Sequence, residues 1–332
     1  MPPDASLASG AAPATVDAAI RRAESIIAAG SDGYRSESPR LDAELLLAAL
    51  RRCDRARLLA DLREPLAADD WAGLDRLARR RAAGEPLAYL VGRRGFHGIE
   101  LRVNPSVLIP RPETELLVDW ALAWLSGSSE RSPEAASGGS GGVGPKGQPR
   151  IAAARRVIDV GTGSGAIVLA LAAALRARGA SMRQSELQLL ASDVSTAALA
   201  TSQDNARRLG LDAWVQFRQA DLLPEGEPPY DLVLANLPYI GLDERAGLSR
   251  DVSEFEPAEA LFAGRDGLAL IARLLGDLPG RLASGGAAAL EIGYAQGPAV
   301  RALASAGFPE ARIRVHPDLA GHDRLLTIET GP

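Results

Sequence analysis

Asn236-Leu237-Pro238-Tyr239 is the stretch of this 332-residue chain whose residue types and spacing could do chemistry most directly. The apolar run before it, Asp231-Leu232-Val233-Leu234-Ala235, reads as a buried strand. Pro238 has no N–H for a ladder and pushes Leu237 toward an extended conformation. The Asn236 amide is therefore expected at the rim of a sheet, on a stiff backbone, with the flat ring of Tyr239 beside it. That arrangement suits a small planar NH2 group. The Asn236 side-chain oxygen and the Leu237 carbonyl could each accept one hydrogen, and Tyr239 could pack on the plane. Over four residues alone, a strand ending in a proline turn would look the same.

A second motif lies upstream. Val157-Ile158-Asp159-Val160-Gly161-Thr162-Gly163-Ser164-Gly165 is a β-rich run entering a glycine loop, and Ala166-Ile167-Val168-Leu169-Ala170-Leu171 leaves it as a helix. Glycines let the backbone turn sharply and approach a ligand, and the helix N-terminus faces that ligand. Gly161, Gly163 and Ala166 also satisfy the dinucleotide pattern G-x-G-x-x-G/A. Asp193 closes the next apolar run, Leu187 to Ser192, where a carboxylate could accept both ribose hydroxyls of an adenosine moiety. Asp221 ends the run Trp214 to Ala220, with Leu222 next, where it could meet an adenine amino group. The candidate cofactor-binding residues are therefore Asp159, Gly161, Thr162, Gly163, Ser164, Gly165, Asp193, Asp221, Leu222 and Asn236. Any one acid could be polar punctuation. Three of them with a glycine loop and Asn-x-Pro-Tyr, at successive strand ends, point to a nucleoside-bearing cofactor beside a planar substrate group. A nicotinamide-dependent dehydrogenase also fits the glycines but leaves Asn236 to Tyr239 without a role.

With these residues the chain resembles S-adenosylmethionine-dependent methyltransferases of the seven-stranded, doubly wound class. Within that class it resembles the bacterial PrmC/HemK family. Gly84-Glu85-Pro86-Leu87-Ala88-Tyr89-Leu90-Val91-Gly92 and Leu108-Ile109-Pro110-Arg111-Pro112-Glu113-Thr114-Glu115 look like that family's signatures. So do Glu256-Pro257, Ala260-Leu261 and Gly264-x-Asp266-Gly267-Leu268. The likeness covers about residues 36–125 and 151–330. It implies methylation of the side-chain amide nitrogen of the glutamine in the GGQ motif of class 1 peptide chain release factors, with S-adenosyl-L-methionine as cofactor. It also implies catalytic roles for Asn236, Leu237, Pro238 and Tyr239, with Gly161 to Gly165 around the methionine portion, Asp193 at the ribose and Asp221 at the adenine. The family usually carries Asn-Pro-Pro-Tyr, so Leu237 is a departure. Asn-Leu-Pro-Tyr is the form of rRNA adenine dimethyltransferases, which makes an adenine amino-group methyltransferase acting on rRNA or DNA the alternative.

The elements that must position these residues can be read from periodicity. From Arg155 onward strands alternate with helices, which predicts a parallel sheet with helices on both faces and a ligand at the carboxyl ends of the strands. Strands are expected over 155–160, 187–192, 214–220, 231–236, 286–292, 311–316 and 323–329, and helices near 164–178, 195–209, 266–282 and 296–306. Residues 317–322 leave room only for a hairpin, so the last strand is expected antiparallel. The fold class expected is α/β: a Rossmann-like class I methyltransferase sheet plus a small N-terminal helical bundle.

Further boundaries follow from composition. Residues 1–14 read as a disordered tail, 15–83 as a helical substrate-recognition domain, 84–112 as a β-containing hinge and 113–330 as the methyltransferase domain. A Gly/Ser-rich insertion at 126–150 is expected to be a disordered loop within that last domain. A net charge of −5 argues against stable nucleic-acid binding. Arg76, Arg79, Arg80 and Arg81, with Arg93 and Arg94, form the best local basic candidate, and a solvated helix face explains them more simply. Cys53 is the only cysteine and His97, His316 and His322 are scattered, so no metal site is expected. The chain shows no targeting segment and no apolar run of membrane length. A cytoplasmic monomer is expected.

Overall fold

The computed structural model describes residues 14–31, 33–127, 155–179 and 187–331. The expected disordered tail and insertion lie outside the described residues, apart from Ala14, Ser126 and Gly127. The chain divides into two compact units, Met1–Gly92 with Ser249–Phe255, and Arg93–Leu248 with Glu256–Pro332.

In the first unit, helices α1 (Val16–Ala29), α2 (Pro39–Leu50) and α4 (Ala68–Ala82) are joined by the short α3 (Arg55–Ala60) and followed by α5 (Leu87–Val91). Apolar residues at helical spacing close a core of Ile20, Ile27, Leu46, Leu47, Leu58 and Leu74. Thr15 caps α1 through Ala18 N–H at 3.3 Å and Asp54 caps α3 through Arg57 N–H at 2.7 Å. Three of the arginines of α4 pair with acids: exposed Arg79 with Asp75 at 2.8 Å, exposed Arg80 with Glu85 at 2.7 Å, and buried Arg81 with Asp42 at 2.7 Å, while Arg76 is exposed. The charge of Arg79, Arg80 and Arg81 is thus matched by neighbouring carboxylates. The chain returns to this unit late, through a six-residue helix, Arg250–Phe255, where Arg250 Nη1 donates to the Ser31 carbonyl at 3.3 Å.

The second unit opens with the hairpin β1 (Arg93–Phe96) and β2 (Ile99–Arg102), a 3-10 turn at Pro112–Thr114, and α6 (Glu115–Leu125). The strands β3 (Arg155–Val160), β4 (Leu187–Asp193), β5 (Val215–Gln219) and β6 (Tyr230–Ala235) then alternate with α7 (Ala166–Ala177) and α8 (Thr196–Leu209). The late helix of the first unit is α9, and α10 (Ala269–Asp277), β7 (Leu282–Glu291), α11 (Gly297–Gly307), β8 (Arg312–Pro317) and β9 (Asp323–Glu329) complete the chain. The seven-stranded sheet runs β5-β4-β3-β6-β7-β9-β8, parallel from β5 to β7, with β9 antiparallel to both neighbours. The expected class, seven strands with an antiparallel last strand, is thus the observed one.

Alternation along each strand divides the core between the two faces. Val157, Leu189, Leu232 and Leu234 pack with α6 and α7, while Ile158, Val160, Leu190 and Val233 pack with α10 and α11. Strand order reverses between β3 and β6. Their register pairs Val160 with Ala235, and β3 with β4 pairs Val160 with Ser192. One step beyond those pairs stand Gly161, Asn236 and Asp193, side by side at the crevice where such sheets bind ligands. The helix expected at 266–282 is confined to Ala269–Asp277, because Gly267 turns left-handed (φ 75°) before it and Pro279 follows it. The strand expected at 286–292 begins earlier, at Leu282.

Candidate active site

The glycine loop is tied down by backbone hydrogen bonds. Gly161 and Thr162 N–H both donate to the Ser192 carbonyl, at 2.8 and 2.9 Å, and Gly165 N–H donates to the Thr162 carbonyl at 2.8 Å. Gly161 and Gly163 have φ of 72° and 55°, a region closed to most side chains. A Cβ placed on Gly163 would meet nothing within 4 Å, so the absent side chain leaves an open cradle.

Asp193, at the end of β4, spans this loop and the start of α8. Its Oδ2 accepts from Gly163 N–H and its Oδ1 from Ser195 N–H, both at 2.9 Å. A carboxylate offers about four lone-pair positions, so each oxygen keeps capacity for a hydroxyl. Asp221 lines the same pocket but is 62% exposed and pairs with Arg273 at 2.8 Å. Leu222 holds φ 68°, rare for a residue with a branched side chain, and its carbonyl accepts from the buried Ser192 hydroxyl at 2.8 Å.

Asp159 lies beneath the loop, fully buried, where Oδ2 accepts from the Thr162 hydroxyl at 2.7 Å and from Val168 N–H at 3.3 Å. Its Oδ1 has no hydrogen-bond partner among the described residues. Burial pushes its carboxyl up to about 7, against the pull of those two hydrogen bonds.

At the other end, Asn236 Nδ2 donates to Thr114 Oγ1 at 3.0 Å. Leu237 is buried, and its Cδ2 stands 3.0 Å from where a Cβ on Gly161 would sit. Tyr239 is anchored at both ends. Its hydroxyl donates to Glu291 Oε1 at 3.1 Å, and its carbonyl accepts from Gln296 Nε2 at 2.9 Å. Burial raises the Tyr239 phenol, and the Glu291 carboxyl beside it adds to the rise, so it stays a donor. Gly267 has to be glycine, since a Cβ there would sit 2.0 Å from the Tyr239 carbonyl oxygen. Glu256 ties down the pocket-lining Arg111: its Oε2 accepts from Ile109 N–H at 3.1 Å and its Oε1 pairs with Arg111.

One pocket takes in most of the residues expected from sequence: Gly161, Thr162, Gly163, Ser164, Asp193, Asp221, Leu222, Asn236, Leu237 and Pro238. Asp159, Gly165 and Tyr239 are outside its lining. Gly165 makes the entry to α7, and a Cβ there would sit 2.7 Å from Leu169 Cδ1. Tyr239 spends its hydroxyl on Glu291. Residues not singled out as site residues also line the pocket, among them Ser106, Val107, Arg111, Thr114, Val194 and Glu259. Arg111 and Thr114 fall in the Pro-Arg-Pro-Glu-Thr signature, which is the one sequence signal that marks them. Among the described residues no group of three or more His, Cys, Asp or Glu could hold a metal ion, and no helix is long and apolar enough to cross a membrane.

The pocket's residues fit the nucleoside-bearing cofactor expected from sequence: an open glycine cradle beside a carboxylate with lone pairs to spare. Comparison with known proteins agrees with that chemistry. The PrmC N-terminal domain family matches residues 18–92 and the Methyltransferase small domain family matches residues 148–248. A release factor glutamine methyltransferase of Rhodopirellula baltica is 37% identical over 296 residues, covering 89% of this chain and 90% of that protein. The protein of the same name from Bordetella pertussis is 40% identical over 291 residues, covering 86% of this chain and 93% of that one.

Proposed function

We propose that this chain, which belongs to the release factor glutamine methyltransferase family, methylates the side-chain amide nitrogen of the glutamine in the GGQ motif of class 1 peptide chain release factors. The observation that carries the reading is a single pocket lined both by the Asn236-Leu237-Pro238 rim and by the Gly161–Ser164 cradle with Asp193. S-adenosylmethionine supplies an electrophilic methyl group on a sulfonium.

An amide nitrogen is a poor nucleophile because its lone pair is delocalised into the carbonyl. The Asn236 side-chain oxygen and the Leu237 carbonyl would accept its two hydrogens, which pulls electron density toward nitrogen and aims it. The enzyme's contribution is alignment in a polar pocket fixed before the substrate arrives. The proton leaves after the methyl has transferred, so no strong base acts. Gly161 to Ser164 cradle the methionine portion, Asp193 accepts the ribose hydroxyls, and Asp221 with Leu222 meets the adenine edge. Asp159, Gly165 and Tyr239 act by holding those groups in place. The helical unit recognises the release factor. On this reading the enzyme works as a cytoplasmic monomer and binds no nucleic acid stably.

The test is transfer of label from methyl-labelled S-adenosylmethionine onto purified class 1 release factors, DNA and rRNA in parallel. Label on the GGQ glutamine is expected. Label on adenine in nucleic acid, with the release factors left unmodified, would give the activity to the alternative that Leu237 raises.

A further inference from the structure

We infer that Thr114 is a positioning residue for this reaction, with Glu291 behind it: together they turn the Asn236 amide so that its oxygen, and not its nitrogen, faces the pocket. The identity of the substrate rests on the function proposed above; the geometry does not. Asn236 stands where β6 ends and Glu291 is the last residue of the neighbouring β7, with Ala235 paired to Leu290. Thr114 arrives from 122 residues away in the chain. Thr114 and Glu291 are 3% and 2% exposed, so water does not decide their hydrogen bonds.

The two ends of an asparagine amide have nearly the same shape, and hydrogen-bond partners decide which way it points. Here the partner is a hydroxyl with one proton to give. Glu291 Oε1 accepts from the Tyr239 hydroxyl at 3.1 Å, and its buried Oε2 has no hydrogen-bond partner among the described residues. Burial raises the Glu291 carboxyl, and the hydroxyls of Thr114 and Tyr239, with Arg324, work against that rise. A buried carboxylate oxygen without a donor draws the Thr114 proton, and a hydroxyl turned that way offers Asn236 only lone pairs, which matches the Asn236 N–H observed against it at 3.0 Å. Its oxygen is then free for a substrate NH2. A flipped Asn236 would set its own NH2 against the substrate's, donor against donor. Tyr239 thereby serves the grip by holding Oε1, which leaves Oε2 as the acceptor open to Thr114.

Thr114→Val keeps the shape and removes the hydroxyl. Single-turnover methylation and cofactor affinity are measured for the wild type, Thr114→Val, Thr114→Ser, Asn236→Ala and the Thr114→Val/Asn236→Ala double variant, with thermal melts to confirm folding. Thr114→Val is expected to slow transfer by about 10–100-fold, as for loss of one preorganised contact acting at second hand. Cofactor affinity should stay within about twofold, and Thr114→Ser should restore most of the rate. In the Asn236→Ala background, Thr114→Val should cost nothing further, because both act through one group. A full additional loss there, or no rescue by serine, overturns the inference. Glu291→Gln is the second variant: its NH2 can donate to Thr114 and release the hydroxyl proton toward Asn236. It should slow transfer as well, and a wild-type rate would overturn the role of Glu291. A readout independent of substrate comes from the 15N–1H pair of the Asn236 side chain, assigned by its loss in Asn236→Ala. It should exchange slowly in the wild type and quickly in Thr114→Val. Equal exchange in the two sinks the inference whatever the substrate. Slow exchange in a wild type that leaves GGQ glutamine unmodified would sink the proposed function and leave the positioning intact.

Discussion

At the glycine loop, consecutive residues and one acid from the next strand end build the wall of the pocket, and backbone groups make nearly every contact. Gly161, Thr162, Gly163 and Gly165 all act through their N–H. At the Asn236 rim the wall is drawn from residues near 111–114, 236–239, 256 and 291, and side chains meet side chains. The first kind of wall reads as a short motif and tolerates change wherever only a side chain is altered. The second exists only once distant segments have docked, and each of its hydrogen bonds depends on one particular side chain. Substitutions should accordingly strike the two ends through different observables: cofactor affinity and stability at one, turnover at the other.

The sharpest way to break that contrast is Asn236→Ala. It should leave cofactor affinity close to that of the wild type and lower single-turnover methylation by about 10²–10³, the usual loss for one preorganised donor or acceptor in a transition state. A wild-type rate would mean that the rim does not hold the reacting group. Asp193→Ala should do the reverse. Losing a charged acceptor for two hydroxyls weakens cofactor binding by roughly 1.5–3 kcal/mol, and the orphaned N–H groups of Gly163 and Ser195 should lower the melting temperature as well. Calorimetry with unchanged affinity would refute the ribose assignment.

A pH series tests the glycine end alone. Asp159 titrates near 7 in the folded protein against 3.8 when unperturbed, because burial disfavours its charge. Between about pH 4 and 7 the unfolded chain gives up this proton and the folded one keeps it, so this group's contribution to stability declines as pH rises. Asp159→Asn lacks the titration. Its melting temperature relative to the wild type should therefore climb from pH 4.5 to 7.5, and a flat difference would show that Asp159 is ionised in the fold. The smallest effect is expected where the two ends touch. Leu237→Pro restores the usual family residue but thins the contact with Gly161, which should cost about 1 kcal/mol of stability and change turnover by less than about tenfold. A larger fall in turnover would show that the Leu237 side chain, and not only its carbonyl, aligns the substrate.

Legibility in the sequence follows the same divide. Glycine loop, strand-end acids and Asn-Leu-Pro-Tyr are local patterns, and β-α alternation along the chain is enough to put them at one edge of a sheet. Asp159 belongs to the loop motif, yet no pattern tells that its carboxylate points under the loop to Thr162 and Val168. Tyr239 reads as a stacking ring until Glu291 is found beneath its hydroxyl. Thr114 carries no local chemical signal, because its partner Asn236 lies 122 residues further along the chain. The helices α3, α5 and α9, of five or six residues each, are too short for a 3.6-residue period to show.

The late return of α9 to the helical unit has a consequence for synthesis. Residues through Gly92 emerge from the ribosome first, but Ser249–Phe255, with the Arg250 bond to Ser31, is made only after β6 and its rim. At roughly 5–20 residues per second, the early helices wait on the order of 10 s for their final piece. During that interval the Ser31 carbonyl and the ground beside Gly84 are without the arginine that later covers them. A nascent chain halted just short of residue 249 should therefore be cut by protease around residues 30–34 faster than one halted after 260, once both have cleared the exit tunnel.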